Sequence, residues 1–440
     1  MKNKSKADLA QWAMEYTIKC GADEVAVSLS NSREIEIEFR EQKLEKVKES
    51  TQNALSLNIY TQKRFSSHST NDLRKDALKS FIEEAVASTK YLTADEFRTL
   101  PDPKLYPKDM EKDLHIFDNG YDKIESPDRV KIAQAIEAAA MAQSDQIIST
   151  TAGYSDGMYE SVKVHSNGFL GESRSTSFWA GAEATVKDGD SGRPADWFYA
   201  GVRYHADLPS PAALGQEAVK RALRKVGQRK INSGRYTMIV ENRSAARLLN
   251  MLISPMSARS IQQKRSFLDG MLDQKIASDK LTIIDDPFVE KGFSSRFFDS
   301  EGIATRHRVI IEKGVLRQYL IDNYYGRKLG LEPNSGSATN VMLDYGDQSL
   351  DELIKGVDKG ILVTSFIGGN SNSTTGDFSF GIVGQFIENG TLVHAVNEMN
   401  ISGNGKSFFN QLSAVGNDPY PYSSWRMASL QFDDVEFSGL

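Results

Sequence analysis

Two short stretches, Val25-Ala-Val-Ser-Leu29 and Ile35-Glu-Ile-Glu-Phe39, place an apolar side chain at every second position. This period is typical of β-strands with one buried face, and the run Leu55-Ser-Leu-Asn-Ile59 repeats it. We therefore predict an antiparallel meander from Glu24 to about Ser69 that keeps one face toward solvent.

Helical patterns flank the meander on both sides. Residues Ala7–Cys20 space apolar side chains at helical intervals, and Gly21 follows where a C-terminal cap belongs. Asn71 and Asp72 offer N-caps to a second amphipathic helix that runs to about Tyr91. The opening segment is thus predicted to be helix, strands, helix.

The same order of elements returns after a proline-rich connection. Pro127 falls in the first turn of the next predicted helix, a position that suits proline. The predicted elements are a helix from Ser126 to before Ser144, strands over 146–154, 160–166 and 172–185, and a helix over 211–226. This order suggests a degenerate duplication, although the residues themselves do not repeat.

Glycines and short β-rich runs dominate from Arg235 onward. Helices are predicted there only over 244–253, 322–329 and 350–357. Segregated helices and antiparallel strands favour an α+β fold over a doubly wound parallel sheet. We place the domain boundary near Ile231–Gly234, with an N-terminal α+β domain at 1–231 and a β-rich C-terminal domain at 232–440.

Composition excludes several classes of protein. The 440 residues carry 53 Lys and Arg against 59 Asp and Glu, so the net charge of −6 gives no electrostatic reason to bind nucleic acid. No stretch approaches the ~20 apolar residues of a membrane span, and no apolar segment in Met1–Tyr16 indicates a secretion signal. The single cysteine, Cys20, fits a reducing compartment, and its place at a helix end predicts a buried structural thiol.

Familiar catalytic motifs are missing from the sequence. No two of the six histidines lie within one helical turn, which excludes a helical HExxH or HExxxH zinc site; they are His68, His115, His165, His205, His307 and His394. His394 and Glu398 come nearest, but they fall in a strand pattern. The acidic pairs Asp285-Asp286 and Asp433-Asp434 are predicted to be solvated turn residues.

A Gly-, Ser-, Thr- and Asn-rich run lies between two predicted strands at 368–377. It can be a long hairpin loop, or its backbone N–H groups can cradle an anion or a peptide backbone. The candidate peptide-binding residues are Gly368, Gly369, Asn370, Gly376 and Asp377.

Several segments of the second half resemble the TldD/PmbA family, formerly described as modulators of DNA gyrase, and specifically its PmbA/TldE branch. They occur in the family's order across the C-terminal half. The segments are Phe298-Asp-Ser-Glu-Gly302, Arg327-Lys-Leu-Gly330, Thr375-Gly-Asp-Phe-Ser379, Ile387-Glu-Asn-Gly390, Ile401-Ser-Gly-Asn404 and Val415-Gly-Asn-Asp418.

The resemblance implies a cytoplasmic subunit that pairs with a TldD-like chain in a heterodimeric zinc peptidase, with the peptide extended in an enclosed cleft. In the TldD branch a helix with HExxxH and a C-terminal cysteine hold the zinc. The corresponding helix here, Asn242–Ile253, has neither histidine nor glutamate, and no cysteine follows Val415. The resemblance therefore implies a non-catalytic subunit without zinc of its own, which can form a homodimer in isolation. The short strands and Gly-rich connections of the second domain expose main chain, so we expect this domain to carry the subunit interface.

Two alternatives stay open at the level of sequence. A self-sufficient hydrolase could assemble its site from residues distant in the chain, such as His307 or His394 with Asp299, Asp377 or Asp418. A protein that binds and modulates DNA gyrase is the other, as the older family description suggests.

Overall fold

A six-stranded antiparallel sheet forms the first part of the molecule, which a computed structural model describes over residues 3–440. Met1 and Lys2, at the start of the predicted first domain, lie outside the described residues. The strand order is β3-β2-β1-β4-β5-β6. The elements are α1 (Asn3–Lys19), β1 (Glu24–Arg40), β2 (Lys43–Thr61), β3 (Arg64–Thr70), α2 (Lys75–Thr89), α3 (Ser126–Met141), β4 (Ile147–His165), β5 (Leu170–Val186), β6 (Ala195–Val202) and α4 (Pro211–Leu223).

The first sheet buries one face under helices. Odd-numbered residues of β1 point to this face: Val25 and Val27 pack with α1 and α2, whereas Ile35 and Ile37 pack with α3 and α4. The two units, each helix, three strands, helix, meet where β1 pairs antiparallel with β4. The topology thus has the repeated order of elements that the sequence predicts.

Several boundaries differ from the predictions. The two alternating runs at Val25 and Ile35 belong to the single strand β1, because the polar residues between them continue the ladder to β2 and β4. The predicted strands 146–154 and 160–166 are likewise one strand, β4, and β6 was not predicted. Asp72 does not cap α2; its carboxylate accepts a hydrogen bond from the backbone of Arg74, one residue before the helix.

The α1 terminus is capped as predicted, but its cysteine is not fully buried. Gly21 adopts φ of 103° and its N–H donates to the carbonyl of Ile18 at 2.9 Å. Cys20 is half-buried because it lies on the last turn of α1, at the margin of the helix–sheet core. Partial burial is still enough to raise the pKa of its thiol.

Two further sheets and short helices form the rest of the chain. A five-stranded sheet has the order β10-β9-β8-β11-β16, and a six-stranded sheet has the order β14-β13-β12-β7-β17-β15. The elements are β7 (Gly234–Val240), α5 (Asn242–Ile253), α6 (Ala258–Gln262), β8 (Ile283–Asp286), β9 (Arg308–Glu312), β10 (Val315–Leu316), α7 (Asn323–Leu329), β11 (Asn340–Leu343), α8 (Leu350–Lys355), β12 (Lys359–Ser371), β13 (Asp377–Glu388), β14 (Thr391–Asn404), α9 (Gly405–Phe408), β15 (Leu412–Val415), β16 (Trp425–Arg426) and β17 (Leu430–Ser438).

The architecture is α+β with a β-rich C-terminal region, as predicted. The largest apolar core lies in this region and joins both sheets to α5. The predicted domain boundary falls between α4 and β7, and it stays a prediction. None of the helices in residues 3–440 is long and apolar enough to cross a membrane.

Candidate functional site

Helix α5 occupies the position where the resemblance places the zinc-binding helix of the TldD branch. Its apolar residues recur at helical spacing, so Ala245, Leu248 and Leu252 face the core and are fully buried. The residue before the helix, Glu241, is buried and pairs with Arg221 of α4. This pair fixes the start of α5 to the first part of the molecule.

The polar side of α5 covers an edge of β12. Strand β7 pairs with β12 only from Gly360 to Val363, which leaves the carbonyls beyond Val363 without a strand partner on that side. Ser244 Oγ donates to the carbonyl of Thr364 at 2.7 Å. Arg247 donates to the carbonyls of Phe366 and Gly368. Alternate carbonyls of this edge are therefore satisfied by side chains of α5, which limits their availability to an added strand.

The candidate peptide-binding residues gather at the far end of the β12–β13 hairpin. Gly368 and Gly369 form an irregularity in the ladder with φ of 58° and 77°, and Asn370 pairs with Ser379. At Gly369 a Cβ would lie 2.0 Å from the carbonyl oxygen of Ser379, so only glycine fits. The strand continues to Ser371, so the predicted long loop is a short turn instead.

The other two candidates close that turn. The N–H of Gly376, whose φ is 89°, donates to the carbonyl of Asn372 at 2.8 Å. Asp377 accepts from Thr375 Oγ1 at 2.6 Å and from Asn404 Nδ2 at 2.8 Å, and these bonds lower the pKa of its carboxyl. All five candidates thus lie at the hairpin end, where all but the buried Gly376 are exposed, and their role in peptide binding stays a prediction.

The segment Val415–Asp418 lies beside the start of α5. The main-chain carbonyl of Asp418 accepts from Asn242 Nδ2 at 2.8 Å. Its carboxylate accepts from the backbone N–H and the hydroxyl of Ser429, each at 2.8 Å. The fold therefore places the start of α5 beside the beginning of the region after Val415, where the resemblance expects the cysteine ligand of the TldD branch.

These residues do not fit zinc. Zinc in proteins is held by thiolates, imidazoles and carboxylates, and a catalytic site needs three of them around one ion. Here α5 presents Asn242, Arg243 and Arg247, and the carboxylate of Asp418 is already hydrogen-bonded. Within residues 3–440 no group of three or more His, Cys, Asp or Glu side chains could hold a metal ion.

An acidic hollow of about 480 Å³ lies on the helix-free face of the first sheet. Tyr199 forms part of its wall and lies over Gly153 and Gly181, where a side chain would leave no room for the ring. Burial, together with the nearby charge of Glu183, raises the pKa of Tyr199 to about 12. Trp197 extends the hollow toward α5, because Arg243 stacks on its indole at 4.1 Å. Sequence reasoning missed this hollow since its lining comes from separate strands.

The two histidines that a hydrolase site assembled from distant residues would use do not contact the carboxylates proposed as their partners. His394 Nδ1 lies 3.0 Å from the carbonyl oxygen of Ala395, and its ring stacks on Phe386. His307 is exposed. In the part of the chain that the structure describes, neither histidine makes a hydrogen bond or salt bridge with Asp299, Asp377 or Asp418.

Both acidic pairs that were predicted to be turn residues lie in strands instead. Asp285 is only 1% exposed because it belongs to β8 rather than to the following turn. It pairs with Arg308 at 2.9 Å and accepts from the backbone N–H of Thr339 at 2.6 Å. Asp433 and Asp434 are exposed as predicted, but they belong to β17, at an irregularity in its pairing with β7, rather than to a turn.

Comparisons with known proteins cover nearly the whole chain. Residues 25–89, 120–226 and 233–439 match the family descriptions "PmbA/TldA metallopeptidase domain 1", "central domain" and "C-terminal domain". The metalloprotease PmbA of Escherichia coli O157:H7 is 30% identical, over 95% of this chain and 93% of that protein.

Solved structures share the fold. A Bacteroides thetaiotaomicron VPI-5482 protein named a "putative modulator of DNA gyrase" is 42% identical, with a TM-score of 0.97 and complete coverage of both chains. TldE from Thermococcus kodakarensis has a TM-score of 0.87 at 21% identity over 98% of this chain and 100% of that one, which shows the fold alone. The chain belongs to the PmbA/TldD metallopeptidase family.

Proposed function

We propose that this chain is the PmbA/TldE-like, non-catalytic subunit of a two-subunit zinc peptidase that acts on peptides or unfolded proteins. The observation that carries the proposal is the chemistry of α5. The helix that would bear the zinc ligands presents arginines, and Arg247 is engaged with the β12 carbonyls rather than with a metal. A TldD-like partner would supply the zinc and the activated water.

The contribution proposed for this chain is a wall of the peptide cleft. The exposed hairpin end at Gly368–Asp377 carries the backbone groups and small side chains that suit an extended peptide. We place the subunit interface on residues 232–440, where short strands and exposed main chain offer surfaces for a partner. A homodimer in the absence of the partner fits the same surface across a two-fold axis.

Zinc analysis tests the non-catalytic role. We expect the purified chain to hold no stoichiometric zinc and to cleave no unstructured peptide, whereas a co-purified complex with a TldD-like chain holds zinc and cleaves. One tightly bound zinc per chain, lost in His307→Ala or His394→Ala but kept in His115→Ala, would contradict the proposal and favour a self-sufficient hydrolase.

The wall of the cleft is tested in the complex. Asn370 is exposed at the hairpin end, so Asn370→Trp should obstruct an extended peptide and raise KM for a fluorogenic substrate. Asn71→Trp, at an exposed asparagine just after β3 in the first part of the molecule, is the matched control. If the two variants had equal KM values, the hairpin end would not form part of the peptide cleft.

Cross-linking and mass spectrometry of the same complex test the interface. Cross-links to the partner are expected from lysines such as Lys359 and Lys406 in the second half. Cross-links confined to residues before Ile231 would place the interface on the first half instead.

A further inference from the structure

A second cavity, of about 550 Å³, lies where the first and second parts of the molecule meet. Arg98 reaches it from the connection between α2 and α3, and Arg259 from α6. The turn Asp299–Glu301 and the start of α7 at Asp322 complete its charged lining. Ligand sites have volumes of roughly 300–1,000 Å³ and occur preferentially at domain junctions, so this cavity has the size and place of a binding site.

The basic groups of the cavity have unused hydrogen-bond donors. The guanidinium of Arg98 stacks on the ring of Tyr324 at 3.5 Å and on that of Phe65 at 4.6 Å, which holds it in place. Among residues 3–440 its side chain makes no salt bridge and donates no hydrogen bond. The side chain of Arg259, which is exposed, likewise makes no salt bridge and donates no hydrogen bond within the described residues. A planar guanidinium with free N–H groups is suited to a carboxylate.

The acidic groups of the cavity are also unpaired. Asp299 is only 6% exposed, and its Oδ1 accepts from the backbone N–H groups of Glu301 and Ile303 at 2.8 and 3.0 Å. Glu301 Oε2 accepts from the N–H of Asn323 at 2.8 Å. No hydrogen bond from the described residues reaches Asp299 Oδ2 or Glu301 Oε1. Each carboxylate therefore keeps an oxygen for a donor from outside the protein.

The nearby amine does not neutralise these carboxylates. Lys163 donates to the main-chain carbonyl of Ser300 and forms no salt bridge with Asp299 or Glu301 within the described chain. Burial raises the pKa of both carboxyls, that of Glu301 to about 7, and lowers the pKa of Lys163. Opposite charges therefore line one cavity without pairing across it, and a ligand that carries both charges could pair with each of them.

We propose that this cavity binds a small zwitterion, an α-amino acid or a short peptide, with its carboxylate on Arg98 and Arg259 and its ammonium on Asp299 and Glu301. The carboxylates of the lining would repel a simple anion, and its arginines would repel a simple cation. A ligand with both charges therefore suits the lining best. The site is independent of the proposed subunit role, because it needs neither zinc nor a partner.

Isothermal titration of the full-length chain tests the proposal with L-alanine and L-alanyl-L-alanine, which separate the amino acid from the peptide. At least one of them should bind at a single site. N-acetylalanine and alaninamide each lack one charge and should bind at least about tenfold more weakly, because one charged partner is lost. Binding of N-acetylalaninamide as tight as that of the zwitterions, or no binding of either zwitterion at millimolar concentration, would overturn the proposal.

Variants locate the binding. Arg259→Met and Glu301→Gln should each weaken binding of the zwitterion by about tenfold or more, the first by loss of a carboxylate partner and the second by loss of an ammonium partner. Arg174→Met is the matched control, since Arg174 also stacks on an aromatic ring, Phe117, but lies outside the cavity. Far-UV circular dichroism verifies folding. Wild-type affinity in both cavity variants would also overturn the proposal.

Discussion

Arg221 and Glu241 form a doubly hydrogen-bonded ion pair between α4 and the residue that precedes α5. Nη1 donates to Oε1 at 3.1 Å and Nη2 to Oε2 at 2.6 Å, and both side chains are buried. Asp196 lies 3.8 Å from the same guanidinium. The pair therefore links the first sheet and its helices to the helix that covers β12.

We predict that Glu241→Ala lowers the free energy of unfolding by about 3 kcal/mol or more, because removing one partner leaves a buried charge uncompensated. Asp196 offsets part of that cost. Urea denaturation measures the loss, and Glu312→Ala is the control. Glu312 pairs with Arg317 at 3.0 Å, but its side chain is 53% exposed, so its loss should be below about 1 kcal/mol. Equal losses would show that the buried pair adds nothing specific.

Gly181 is expected to tolerate no side chain. A Cβ there would lie 2.0 Å from the carbonyl oxygen of Phe198 and 2.6 Å from the Cα of Tyr199, and main-chain atoms in a sheet cannot move aside cheaply. Gly181→Ala should therefore cost about 3 kcal/mol through overpacking. Gly157→Ala on neighbouring β4 is the control, because its nearest neighbour would be 3.5 Å away. Thermal unfolding of the two variants should separate them clearly, and similar melting temperatures would contradict the prediction.

Arg247 is predicted to hold the outer part of β12. Arg247→Met removes the hydrogen bonds to Phe366 and Gly368 and the stacking of the guanidinium on Phe380 at 4.8 Å. Each lost hydrogen bond is worth about 1 kcal/mol, so amides of 364–371 should exchange with solvent roughly fivefold or more faster. Lys264→Met, which removes an exposed ion pair with Asp269, should leave that exchange unchanged. Unchanged exchange in Arg247→Met would mean that the edge is held by its pairing with β13 alone.

Local signals account for the elements that the sequence predicts well. Burial of one sheet face imposes the two-residue period seen at Val25 and Ile35. Gly21 and Pro127 mark helix ends through interactions within a single helical turn. Strand β6 escaped prediction because Trp197 and Tyr199 lie on the helix-free face of the sheet. Large apolar side chains therefore occur on both faces of β6, and its alternation disappears.

The charged cavity shows why sites are harder to predict than elements. Its residues come from positions as distant as Arg98, Arg259 and Glu301, and only the fold brings them together. One part of the lining, Asp299 and Glu301, does lie in the Phe298–Gly302 segment that resembles the family. Whether a carboxylate in the cavity has a cation partner depends on contacts between side chains distant in the sequence. The spacing of residues along the chain does not predict such contacts.

Glu301 provides the last prediction, a pH dependence of stability. Burial raises the pKa of its carboxyl from 4.5 to about 7, so the folded state holds the proton more tightly than the unfolded state. Its contribution to stability is then fully present below about pH 4.5 and is lost as the pH rises through about 7.

Glu301→Gln removes the titration and keeps an acceptor for the N–H of Asn323. The variant should match the wild type at low pH and exceed its free energy of unfolding by about 1–3 kcal/mol above pH 7. Urea denaturation between pH 5 and pH 8 measures the difference, with Glu45→Gln, at an exposed residue of β2, as the control. A difference that does not change with pH would show that Glu301 is ionised throughout this range.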